Sequence, residues 1–128
     1  MMIYSILAVA IGGALGCLSR WLLGLALNAM FPAVPPGTLM ANLIGGYLVG
    51  VALVFFSTHP ELPPQWRLFV IVGFLGGLTT FSAFSGEVVT LLRDDRIGMA
   101  MGAVALHLGG SLLMTFAGML TVSALRAR

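Results

Sequence analysis

The sequence has 128 residues, of which 59% are hydrophobic and only 8% charged, against about 25% charged in an ordinary soluble domain. So little charge excludes a water-soluble globule, and a formal charge of +2 with no basic run excludes nucleic acid as a partner. The single cysteine, Cys17, excludes an internal disulfide and any multi-cysteine metal centre, and is read as a small packing residue.

A bilayer core needs about 20 apolar residues per helix, and the chain divides into four such stretches. The first span covers about 3–27 and is apolar except for Ser5, Ser19 and Arg20. It has no positively charged start and runs past signal-peptide length, so it is expected to be retained as a span. A loop follows, marked by Pro32, Pro35, Pro36 and Gly37. The second span covers about 38–56 and carries Asn42; Pro60, Pro63 and Pro64 mark the next loop. Trp66 and Arg67 stand where interfacial anchors belong.

The third span, about 68–92, is unusual. Gly76-Gly77-Leu78-Thr79-Thr80 joins two glycines to two β-branched residues, which is poor helix material. The third helix is therefore expected to be broken near its middle. Carbonyls freed there must be buried, meet water or bind a cation, and hard monovalent cations suit oxygen ligands. Arg93-Asp94-Asp95-Arg96 is a charged turn, and the fourth span covers about 97–125 with His107, Ser111 and Thr115 inside it. One transmembrane domain, 1–128, accommodates all of this. The fold class is an all-α membrane protein of four transmembrane helices.

Glycines recur four apart at Gly12/Gly16, Gly46/Gly50, Gly73/Gly77 and Gly98/Gly102, a spacing that lets helix backbones approach closely in lipid. The basic residues are all Arg. Arg67, Arg126 and Arg128 fall on one side of the membrane, Arg93 and Arg96 on the other, with Arg20 able to snorkel that way. Orientation follows an excess of Lys and Arg on the cytoplasmic side. With almost no excess, the chain is expected to insert both ways and form a dual-topology antiparallel homodimer, a two-chain version of an inverted repeat.

Polar groups inside a span need a reason. Arg20 shares a stripe with Gly12, Gly16 and Gly24; it either makes a positive anion vestibule or ties helix ends together. Asn42 either donates to a partly dehydrated anion or bonds between helices. Phe81 and Phe84, three apart, either present electropositive ring edges to an anion or simply pack a core. Ser82 and Ser85 form a hydroxyl pair on a neighbouring face. Glu87 is the one acid well inside a span, and is a relay carboxylate, a structural group, or part of a polar path with Thr115. His107 has no second His or Cys at ligand spacing and is not read as a metal ligand; His59 lies in a loop. No nucleophile, base and orienter recur at a useful spacing, so no enzyme is expected.

Taken in order, Gly12-Gly13…Gly16…Arg20-Trp21, Gly37-Thr38-Leu39…Ala41-Asn42-Leu43-Ile44-Gly45 and Gly76-Gly77-Leu78-Thr79-Thr80-Phe81-Ser82…Phe84-Ser85…Glu87 resemble the Fluc/CrcB fluoride channels over nearly the whole chain. The resemblance implies passive fluoride export across the cell (inner) membrane, relieving fluoride toxicity. It implies antiparallel homodimers with two pores and one central structural sodium ion. By motif, Asn42, Phe81 and Phe84 would line the pores, and the backbone carbonyls of Gly76 and Thr79 from both subunits would hold the sodium. Ser82, Thr38, Glu87 and Thr115 would be polar-track residues, and Arg20 matches the first-helix arginine. The sequence departs from the family pattern at His107, where some members carry Asn, and at Ala83, where many carry Thr. Two other classes fit the residues less well. A small proton-coupled exporter needs an acid in its first span, which this chain lacks. A non-transporting assembly subunit has no use for freed carbonyls.

Overall fold

The computed structural model describes every residue, Met1–Arg128. Its elements are α1 (Met2–Leu27), a single 3₁₀ turn at Asn28–Met30, α2 (Pro36–Ser57), α3 (64–78), α4 (Phe81–Arg93) and α5 (Ile97–Arg126). Four stretches are long and apolar enough to cross a membrane: Met2–Met30, Pro36–Ser57, Pro64–Arg93 and Ile97–Arg126, with α3 and α4 sharing the third.

The ends of these helices follow from local chemistry. Pro36 and Pro64 each stand at the first helical position, where a fixed φ suits the turn and the missing N–H is not needed. The sequence reading began the third span at about 68 because it counted Pro63 and Pro64 as loop; Pro64 instead opens the helix. The first N–H groups of α2 lack intrahelical partners. Asn28 supplies one from across the loop, its Oδ1 accepting from Gly37 N–H at 2.8 Å and Thr38 N–H at 3.3 Å. The end of α4 closes as a Schellman motif: Arg96 N–H donates to Leu91 O at 2.8 Å and Asp95 N–H to Leu92 O at 3.2 Å. Asp95 takes the left-handed position at φ 55°, usually held by glycine.

Packing is between backbones more than between large side chains. Helix α1 lies along α3, and α2 lies along α5. A Cβ at Gly12 or Gly16 would run into the backbone of Phe69 and Phe74, and one at Gly50 or Gly118 into the carbonyls of Thr115 and Tyr47. Small residues fill the rest of the interior: Ala41 and Ala52 beside Leu75 and Leu78, and Ala100 and Ala103 beside Leu91. Only 19 of 128 residues are buried, so most of the apolar side chains face outward, the arrangement lipid favours. Two stretches are wound as π-helix, Leu68–Leu75 and Ala105–Gly109, and the second contains His107. Such widened turns gather at functional sites.

Close approach makes a testable demand. Gly50→Val is expected to lower stability by about 1–3 kcal/mol through overpacking, read as a drop in the melting temperature of the detergent-purified protein. Gly98→Ala, where a Cβ meets nothing within 4 Å, is expected to leave it unchanged or slightly raised.

Candidate functional site

The site is organised around two residues between α3 and α4. Thr79 (φ −87°, ψ 155°) and Thr80 (φ −150°, ψ 117°) are extended. In a continuous α-helix each carbonyl accepts from the N–H four residues on. Here the N–H that would close on Gly76, that of Thr80, donates instead to Asn42 Oδ1 at 2.8 Å. The N–H that would close on Thr79, that of Ala83, donates to the Thr80 hydroxyl at 3.2 Å, which makes Thr80 the N-cap of α4. Arg20 reaches from α1 and donates from Nε to Gly77 O at 3.1 Å. A fixed cation on the last carbonyls of α3 suits the negative end of that helix.

Asn42 holds the opposite side. Besides accepting from Thr80 N–H, its Nδ2 donates to Thr80 O at 3.1 Å and lies 3.0 Å from His107 Nδ1. An amide nitrogen has only two hydrogens. Both are thus used within the chain, and Nδ1 of His107 must be the acceptor, which leaves the ring proton on Nε2. Phe84 stacks on the other face of His107, with ring centroids 4.8 Å apart and planes at 26°. Phe81 meets Phe84 edge to face at 5.5 Å; Phe84 is buried, whereas Phe81 is 75% exposed.

These groups line a cleft of about 260 Å³, with Asn42, Thr79, Thr80, Phe81, Phe84, His107, Ser111 and Thr115 in its walls. Most of its hydroxyls are already engaged. Thr79 donates to Leu75 O at 2.8 Å, and Thr115 shares its one proton between Gly46 O at 2.9 Å and Ser111 O at 3.0 Å. Thr80 and Ser82 hydroxyls pair at 3.2 Å. Ser111 has its hydroxyl free to face the cleft. A second cleft, of about 340 Å³, lies near the end of α4 and is lined by Pro32, Glu87, Thr90, Asp94 and Arg96 among others. The buried Thr38 hydroxyl lies beside the Glu87 carboxyl.

Of the residues singled out from sequence, the first cleft gathers Asn42, Thr79, Phe81, Phe84 and Thr115. Glu87 lines the second cleft, Thr38 lines neither, and Gly76 and Ser82 are exposed. Arg20 is tied through Nε to a backbone carbonyl near the end of α3. Two residues of the cleft wall, His107 and Ser111, were not among those expected to line a pore. Their signal was present, since His107, Ser111 and Thr115 are four apart and make one polar stripe along α5.

The Asn42 amide takes both peptide groups of the half-buried Thr80, its N–H and its carbonyl. Asn42→Leu is expected to orphan both Thr80 peptide groups, at about 1–3 kcal/mol for each. The outcome is a markedly lower melting temperature and fast hydrogen exchange at the Thr80 amide; unchanged exchange would show that Asn42 is not what holds the segment.

A family model described as "CrcB-like protein, Camphor Resistance (CrcB)" matches residues 7–119. The chain is 60% identical over 125 residues to the "Fluoride-specific ion channel FluC" of Tolumonas auensis, covering 98% of each chain. It is 61% identical over 114 residues to the protein of that name from Chromobacterium violaceum, covering 89% of this chain and 90% of the other. With the protein of the same name from Nitrosomonas europaea it shares 60% over 118 residues, covering 92% of this chain and 93% of that one. The chain therefore belongs to the CrcB-like protein family.

Proposed function

We propose that this chain is a fluoride-selective channel that lets fluoride leave the cell passively across the cell membrane and so relieves its toxicity. The carrying observation is identity near 60%, end to end, with relatives named fluoride-specific ion channels. The cleft supports it chemically. Its walls include Phe81, Phe84, Ser111 and His107, and no Arg or Lys. Ring edges carry partial positive charge and hold an anion weakly. A conducting site must bind strongly enough to admit the ion and weakly enough to release it. In that reading Asn42 and Thr115 contribute mainly by shaping the wall, because their donors are committed to protein groups. Thr38, Ser82 and Glu87 extend the polar path outward.

The working unit is proposed to be an antiparallel homodimer with two pores. Almost balanced arginines on the two sides support insertion in both orientations. The outward-facing Phe81 supports a partner copy closing the cleft wall. The third span is then discontinuous for a reason. The Gly76 and Thr79 carbonyls, stripped of their usual donors by Asn42 and Thr80, are oxygen ligands of the kind a hard cation takes. Two from each copy fit a central structural sodium ion.

Fluoride efflux from liposomes holding the purified protein, beside a chloride efflux control, tests the channel directly. Rapid fluoride loss with negligible chloride loss is expected, and no fluoride loss from folded dimers overturns the reading. Phe81→Ile is expected to cut fluoride flux while leaving the dimer intact by size-exclusion chromatography; full flux would remove the ring-edge argument. Exhaustive exchange into sodium-free buffer is expected to lower the melting temperature of the dimer, with sodium restoring it.

A further inference from the structure

The charged residues divide unevenly between the two faces of the membrane. The face formed by the end of α2, the start of α3 and the end of α5 carries Arg67, Arg126 and Arg128 against one acid, Glu61. The opposite face carries Arg93 and Arg96 against Asp94 and Asp95, and so balances. Between the faces, Arg20 and Glu87 cancel. The whole formal charge of +2 therefore stands on one face of the chain.

The chain supplies no anion for that excess. Its one close approach of a carboxylate to a basic side chain is Glu87 to His107, so no arginine is paired with an acid. Side-chain hydrogen bonds from arginine are confined to Arg20 and Arg96, while Arg67, Arg126 and Arg128 are exposed. The arginines of the opposite face are accounted for within the fold. Arg93 stands in the last turn of α4, where the helix dipole favours a cation, and Arg96 donates to the Met99 sulfur and shares a cleft with Asp94. Arg126 ends α5 in the same favourable sense. Arg67 does not, because it lies in the first turn of α3, the end at which a cation is unfavourable.

We propose that this face is a docking surface for anionic phospholipid, with Arg67, Arg126 and Arg128 taking the headgroup phosphates. The arrangement suits lipid rather than a soluble anion. Arg67 belongs to α3, which packs on α1, whereas Arg126 and Arg128 follow α5, which packs on α2, so the charges are spread along a rim. Neither of the two clefts includes any of the three. Apolar surface adjoins them: Trp66, 57% exposed, precedes Arg67, and Leu125, 66% exposed, precedes Arg126. A guanidinium beside an exposed apolar flank matches a phosphate beside its acyl chains, and Trp at that level is an interfacial anchor. Each arginine near an anionic membrane surface raises the attraction about fivefold. In an antiparallel dimer each leaflet meets one such face. The proposal itself needs only the four spans and does not depend on fluoride flux.

Lipid competition tests this surface. The purified protein is reconstituted in an equimolar mixture of phosphatidylglycerol and phosphatidylcholine, released in mild detergent, and its retained lipids are identified by native mass spectrometry. The unsubstituted protein is expected to retain phosphatidylglycerol at several times the level of phosphatidylcholine. The triple variant R67Q/R126Q/R128Q is expected to bring that ratio close to one. The double variant R93Q/R96Q, which removes nearly as much positive charge from the opposite face, is expected to leave it unchanged. Equal retention of the two lipids by the unsubstituted protein overturns the proposal, and that measurement does not depend on any variant folding. Equal loss of preference in both variants overturns it as well, because the effect would then follow total charge rather than this face. Excess inorganic phosphate is expected to leave phosphatidylglycerol bound; its displacement would assign the arginines to a soluble anion and overturn the lipid assignment. Fluoride efflux from the same liposomes is read separately, so a failure of the channel reading and a failure of this one are told apart.

Discussion

The contact on which the site depends is the grip of one amide on one peptide unit. Asn42 takes both hydrogen-bonding groups of Thr80, the N–H at 2.8 Å and the carbonyl at 3.1 Å. A backbone segment in hydrocarbon has no water to turn to, so an extended pair such as Thr79–Thr80 survives only where side chains satisfy it. Asn42 does so from α2, the Thr80 hydroxyl does so for the start of α4, and Arg20 does so for the end of α3. Three residues from three different elements thus stand in for one missing stretch of helix.

That substitution has consequences on both sides of the segment. Toward the outer surface it leaves the Gly76 and Thr79 carbonyls without their helical donors. Toward the interior it uses up the Asn42 amide, and the remaining hydrogen sets the state of His107. The polar groups of the cleft are consequently not an array of free donors. Asn42, Thr79 and Thr115 spend their hydrogens on the protein, whereas the buried Nε2 of His107 has no hydrogen-bond partner. A lining of this kind has few strong sites, which suits movement of an ion better than its capture.

Rigid placement of so small a site in a chain of this size needs close packing. Lipid offers no hydrophobic drive to press helices together, so contact must come from van der Waals fit and interhelical hydrogen bonds. Glycines at Gly12, Gly16, Gly50 and Gly118 let backbones meet directly. The Thr115 bond to Gly46 O at 2.9 Å and the Tyr47 bond to Thr121 at 3.0 Å add polar links between α2 and α5. Asn42 and the His107–Ser111–Thr115 stripe lie along that same seam, so the packing that joins the helices also holds the site.

Much of this multi-pass membrane protein was legible in its sequence, for a physical reason: hydropathy and turn chemistry are local. The four apolar stretches, the proline loops, the charged turn before α5 and the poor helix material at Gly76–Thr80 are all set by neighbours in the chain. Of the residues named from the family resemblance, Asn42, Phe81, Phe84 and Thr115 share the wall of the first cleft, whereas Thr38, Ser82 and Glu87 do not. What the sequence did not disclose is how each polar hydrogen is used, because that depends on partners up to 74 residues away. Arg20 was open between a vestibule and a tie until the Gly77 carbonyl was seen beside it. Asn42 was open between an anion donor and an interhelical bond until both of its hydrogens were accounted for. His107 looked like a lone histidine because what distinguishes it lies wholly in its surroundings: an amide from α2, and a stacked ring and a carboxyl from α4, brought together by tertiary packing alone.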